Sequence, residues 1–203
     1  MIKIIFFDLD GVLTKNKVGS TVQSAFFAEK YNLSQQELLE KRRPYTVKDN
    51  TGLMTNFEAY QEILKDFGID NLTIDIMEES FAATPVDNRM IEFAKKLKTD
   101  YKVGIITDNT KDRVDYLIAM YNWAAIFDPI INSAEVGTMK NATKIFDIAV
   151  KQARCKHNEC IFIDNSQKNI DVCNKTGIHG IFFDDEVRDY EKLLNEIETK
   201  LSS

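Results

Sequence analysis

Asp8 and Asp10 stand two residues apart at the end of an apolar run, Ile-Lys-Ile-Ile-Phe-Phe, and the chain then turns at Gly11 into Val12-Leu13-Thr14. A β-rich strand that carries two carboxylates to a sheet end bears a desolvation cost unless the charges meet a cation. Two further apolar runs end in polar clusters: Val103-Gly104-Ile105-Ile106 in Thr107-Asp108-Asn109, and Ile161-Phe162-Ile163 in Asp164-Asn165-Ser166. If the three strands are parallel, all three clusters meet at one sheet edge. Asp, Asn, Thr and Ser are also ordinary turn residues and helix N-caps, which is the simpler reading for Asp108, Asn109 and Ser166. It serves Asp8 less well, because no helix pattern begins directly after it. Gathered carboxylates repel one another and hold protons more tightly unless something positive sits among them. Magnesium suits such an oxygen-only site, since it keeps some waters and bridges a carboxylate to a substrate phosphate. Lys140 follows Glu135-Val136-Gly137-Thr138-Met139 at the expected start of a helix, where the dipole disfavours a cation unless an anion is bound.

The elements that must position these residues follow from periodicity. Short, mostly continuous apolar runs at 2–8, 102–107, 126–131, 160–164 and 180–184 read as parallel strands covered on both faces. Amphipathic patterns at 88–97, 110–121, 143–154, 166–175 and 186–201 read as the helices between and after them. Right-handed crossovers then give an α/β fold, a doubly wound parallel sheet with its sites at the carboxyl ends of the strands. Residues from about 14 to 82 break the alternation and read as helix throughout. Ser34-Gln35-Gln36-Glu37 has the form of a capping box, 57–67 is amphipathic and ends on Gly68, and 72–81 is a further helix. The expected division is a core of residues 1–14 and 83–203 with a helical subdomain at 15–82, linked near 14–18 and 83–85.

Composition narrows the setting. With 203 residues, 44% of them hydrophobic and 29% charged, the chain can bury a core of its own. No run approaches the roughly 18 apolar residues of a membrane span, and the N-terminal run turns acidic too soon for a signal peptide, so a cytoplasmic protein without a membrane partner is expected. A net charge of −6 argues against a nucleic-acid partner. Cys155, Cys160 and Cys173 are odd in number and read as reduced thiols; Cys155 and Cys160 flanking His157 lack the second pair that a zinc site requires.

The residues resemble a known family. Asp8 and Asp10 with Gly11-Val12-Leu13-Thr14, the strand-end Thr107, Lys140 after a Val-Gly pair and the acidic strand end at Asp164 match, in order, the motifs of the haloacid dehalogenase (HAD) superfamily hydrolases. The match covers nearly the whole chain and extends to the subclass with a helical cap inserted after the first strand. The resemblance implies a Rossmann-like HAD core and a phosphatase-like activity on a small phosphorylated metabolite, such as a sugar phosphate. Asp8 would be the nucleophile that forms an aspartyl-phosphate. Asp10 would be general acid and then general base. Thr107, Lys140 and the backbone amides near Asp108 and Asn109 would hold the phosphoryl oxygens. Mg2+ would be bound by Asp8, the Asp10 carbonyl and the Asp164-Asn165 pair, of which Asn165 stands where the family's phosphatases usually have an acid. Dehalogenating members lack an aspartate at the position of Asp10, which favours phosphate transfer. A phosphosugar mutase and a binding module without turnover are the alternatives. Arg42, Arg43, Tyr45 and Lys48 form a polar cluster suited to a sugar phosphate or nucleotide, or simply a solvated face. A monomer is expected.

Overall fold

The computed structural model describes residues 1–201. Its centre is a five-stranded, all-parallel sheet in the order β3-β2-β1-β4-β5, formed by β1 (Ile4–Phe7), β2 (Lys102–Thr107), β3 (Ile130–Asn132), β4 (Cys160–Asp164) and β5 (His179–Phe182). The apolar runs are continuous because both faces are covered. Along β1, Ile5 and Phe7 enter one apolar cluster with Leu9, Leu117 and Trp123, while Ile4 and Phe6 enter another with Phe146, Ala149 and Phe162. Phe7 lies opposite Ile105 on β2 and Ile163 on β4, so one further residue sets Asp8 beside Asp164 at the carboxyl edge.

The core helices are α6 (Asn88–Leu97), α7 (Lys111–Tyr121), α8 (Ser133–Val136), α9 (Lys144–Ala153), α10 (Gln167–Asn174) and α11 (Tyr190–Leu201). Between β1 and α6 lie α1 (Gly19–Tyr31), α2 (Gln35–Arg42), α3 (Thr46–Asn50), α4 (Asn56–Lys65) and α5 (Ile74–Ala82). These five helices include a cluster of their own around Phe27, Leu38, Tyr60, Ile63, Met77 and Phe81. The two chain segments joining them to the sheet are tied together: Thr14 bridges Val86, the Lys15 amide donates to the Pro85 carbonyl and the Asp87 amide to the Leu13 carbonyl.

Several features depart from the periodicity. The run at 126–131 yields a strand only from Ile130, because Phe127 turns into the core and Pro129 lacks an amide to donate. The last helix begins at Tyr190 rather than near 186, because the Asp184 side chain accepts from the Glu186 and Val187 amides and Arg188 is left-handed. Its Leu193 and Ile197 are buried in the main core cluster. Ser34 accepts from the Glu37 amide, but the reciprocal capping box occurs at Thr55 and Glu58. Lys140 does not start a helix: it lies between α8 and α9, so the dipole argument does not apply to it.

Candidate active site

The Asp8 amide donates to the Ile163 carbonyl, and its carboxylate accepts from the Leu9 amide at 2.7 Å. The chain then turns over Leu9–Leu13, with Gly11 at φ 82°. A Cβ at Gly11 would lie 2.0 Å from Nδ2 of Asn165, so only glycine lets the turn and the Asn165 side chain pack together. Arg188 braces the same turn, donating to the carbonyls of Gly11 (2.9 Å) and Val12 (2.8 Å) while pairing with Asp87.

Lys140 is the hub. Its ammonium is buried and stands 2.7 Å from Asp8 Oδ1 and 2.7 Å from Asp164 Oδ2. Its amide donates to Asp108 Oδ1 at 2.9 Å. Burial alone would lower the pKa of this ammonium, but the fields of Asp164, Asp8 and Asp108 outweigh it and raise the value. Burial pushes the Asp8 carboxyl well above its ordinary range, with the Lys140 charge opposing. Asp108 is likewise raised by burial against Lys140. Asp164 is fully committed: besides Lys140 it accepts from the Ser166 amide (2.7 Å) and from Nδ2 of Asn169 (3.2 and 3.0 Å).

Asp10 faces a different set. Both its oxygens accept from Arg113 at 2.8 Å, Oδ2 also accepts from Asn109 Nδ2 at 2.9 Å, and Oδ1 from Thr14 Oγ1 at 3.3 Å. Arg113, 1% exposed, further donates to Asn109 Oδ1 and Thr84 Oγ1.

The structure therefore brings Asp8, Lys140 and Asp164 together in one ion cluster, with Asp108 held to the Lys140 main chain and Asn165 packed on the Gly11 turn. Thr107 is buried at the end of β2. Two expected placements differ. Asp108 does not cap α7, since it caps the loop carrying Lys140 instead. The Asn109 amide is not free for phosphate, because it donates to Ser133 Oγ at 3.0 Å.

Arg113, Asn169, Ser133 and Arg188 were missed from sequence. Arg113 falls in the first turn of α7, whose N-cap is Thr110, and from there it reaches back to Asn109. No local pattern marks Arg188, which reaches the turn from 177 residues away.

Among the described residues no three Asp, Glu, His or Cys side chains are gathered as a cation site. The residues expected to hold a cation, Asp8, Asp10, Asp164 and Asn165, offer oxygen donors only. This is a hard-oxygen set, and it fits magnesium, which fills the rest of its octahedron with water or phosphate oxygen. Cys155 and Cys160 are free thiols with Sγ atoms 3.0 Å apart at the opposite end of β4.

A parallel sheet carrying this acid–lysine–acid cluster at its carboxyl edge is the architecture of a hydrolase family, and the chain belongs to it: the haloacid dehalogenase-like hydrolase model matches residues 2–177. Rat bifunctional epoxide hydrolase 2 is 28% identical over 135 residues, which are 64% of this chain but only 24% of that protein's length. The fold is shared with a Bacteroides thetaiotaomicron HAD family enzyme, solved in complex with magnesium and inorganic phosphate (TM-score 0.72, 18% identity, 90% of this chain and 94% of that one). It is also shared with L-2-haloacid dehalogenase from Xanthobacter autotrophicus (TM-score 0.67, 15% identity, 90% and 78%).

Proposed function

We propose that the chain is a magnesium-dependent phosphomonoesterase acting on a small phosphorylated metabolite, sugar phosphates included. Residues 1–14 and 83–203 form its catalytic core and 15–82 a helical cap. The observation that carries this reading is Asp10, a second carboxylate beside the Asp8–Lys140 pair. Displacing a halide needs no proton, whereas an alkoxide leaving a phosphate ester does.

In the proposed cycle Asp8 attacks phosphorus, the bond from phosphorus to the leaving oxygen breaks, and Asp10 gives that oxygen its proton. Water then attacks the phosphorus of the aspartyl-phosphate while Asp10 takes a proton from it, and phosphate and the Asp8 carboxylate are released. Lys140 offsets charge on Asp8 and on the transferring group. Thr107, with Asp108 and Asn109 shaping the loop beside it, binds the phosphoryl oxygens. Asp8, the Asp10 carbonyl and the Asp164-Asn165 pair would hold magnesium. When bound, the metal lowers the repulsion between an anionic nucleophile and an anionic ester. Arg113 occupies both oxygens of Asp10, so it orients the carboxylate and must yield one oxygen to the leaving group.

The test is phosphate release from a panel of phosphorylated metabolites, with magnesium and with EDTA. Release that needs magnesium is expected, and no halide from 2-haloacids. Turnover of a sugar phosphate without phosphate release would instead indicate a mutase. No turnover of any compound would indicate a binding module.

A further inference from the structure

The geometry points to a leaving-group pocket for a compact, uncharged polyol: the ester cleaved carries hydroxyls on the carbons next to its phosphate, and Gln23 and Asn56 read them. This inference rests on the phosphatase reading above. A cavity of about 70 Å³ lies between α1, α2, α4 and the start of α7, with Asp10 in its wall. A leaving group that takes its proton from Asp10 would lie beside this space. Of the side chains around it only Val18 is apolar.

Several of the buried groups lining it keep hydrogen-bonding atoms without partners. They are Nε2 of Gln23, Oδ1 of Asn56, Nε and Nη1 of Arg42, and Nε of Arg113. A buried polar atom left unpaired costs about 1 to 3 kcal/mol, so such a group of them points to a ligand that completes it. The two amides are held in place, because Asn56 Nδ2 donates to Gln23 Oε1 at 3.2 Å and to Thr110 Oγ1 at 3.3 Å. That leaves both N–H donors of the Gln23 amide and the acceptor oxygen of the Asn56 amide.

The charges select against an ionic ligand. Arg42 is paired with the buried Asp49, Arg113 with Asp10, and Asp10 and Asp108 both line the cavity. A second anion on the substrate would meet two guanidinium charges that are each already matched by a carboxylate, with Asp108 as a further carboxylate in the lining. A hydroxyl both donates and accepts, and so answers both amides at once. The cavity has room for several water-sized groups, the scale of a polyol fragment of a few carbons.

The experiment compares kcat/KM of the full chain with magnesium on glycerol 1-phosphate, propyl phosphate and 3-phosphoglycerate, with para-nitrophenyl phosphate as reference. Glycerol 1-phosphate should exceed both propyl phosphate and 3-phosphoglycerate by about tenfold or more, since a site built to bond hydroxyls rejects the analogue lacking them. In Gln23→Met and Asn56→Leu the ratio of glycerol 1-phosphate to propyl phosphate should fall toward one. Equal turnover of the two by the wild type overturns the inference even if neither variant folds, and so does a preference for 3-phosphoglycerate. Hydrolysis of para-nitrophenyl phosphate without discrimination overturns this inference alone. No hydrolysis of any of the four overturns the phosphatase reading with it.

Discussion

Replacing Lys140 by methionine removes the one cation between two buried carboxylates. At 2.7 Å each, and with an effective dielectric constant near 20, the two contacts are worth about 6 kcal/mol apiece in gross Coulomb terms. Much of that is offset by the cost of burying the ammonium. What remains when one member of a buried ion cluster is deleted is about 3 to 5 kcal/mol. For a chain of this size that corresponds to a melting temperature lower by about 6 to 20 °C. The sign with pH follows from Asp8. Burial already raises its folded pKa above the ordinary value, and losing the opposing Lys140 charge raises it further. Between the unfolded value and the raised folded value the folded state holds an extra proton, so stability falls as pH rises through that window. Lys140 itself titrates above its ordinary value and contributes no change between pH 5 and 8. The deficit of Lys140→Met against wild type should therefore be larger at pH 8 than at pH 5 by calorimetric melting. A deficit below about 2 °C at pH 8, or one as large at pH 5 as at pH 8, would refute the role given to Lys140.

Two further outcomes are expected. Asp49 is buried against Arg42, and burial raises its carboxyl to about 6 despite that partner. Arg42→Met should cost about 3 to 5 kcal/mol in urea unfolding at pH 8 and less at pH 5, where Asp49 is protonated, while Arg42→Met with Asp49→Leu should recover most of the loss. Asn165→Asp should tighten magnesium binding in calorimetry by adding a charge to the donor set; unchanged affinity and unchanged pH dependence would remove Asn165 from the ligands.

The parallel sheet was legible because strands covered on both faces carry unbroken apolar runs, as β1 and β4 do, and because their carboxyl ends had to share an edge. That edge marks Asp8, Thr107 and Asp164 in the sequence alone. The partners of Asp10 were not legible. Arg113 lies 103 residues from it and Arg188 reaches its turn from still farther, and neither pairing has a local pattern. Lys140 is legible through the family motif but not through a helix dipole, since it lies before α9; the two carboxylates it joins explain its burial. Strand β3 was overextended because an apolar run cannot distinguish a strand from a turn whose Phe127 packs inward.

The central claim is that the Asp8 carboxylate carries the phosphoryl group in turnover. Its most direct measurement is mass spectrometry of enzyme quenched in acid during hydrolysis of a phosphate ester, with Asp8→Asn alongside. The wild type should show a phosphoryl group on the peptide containing Asp8, and Asp8→Asn should show neither that adduct nor phosphate release. Phosphate released by Asp8→Asn at a rate near that of the wild type would contradict it.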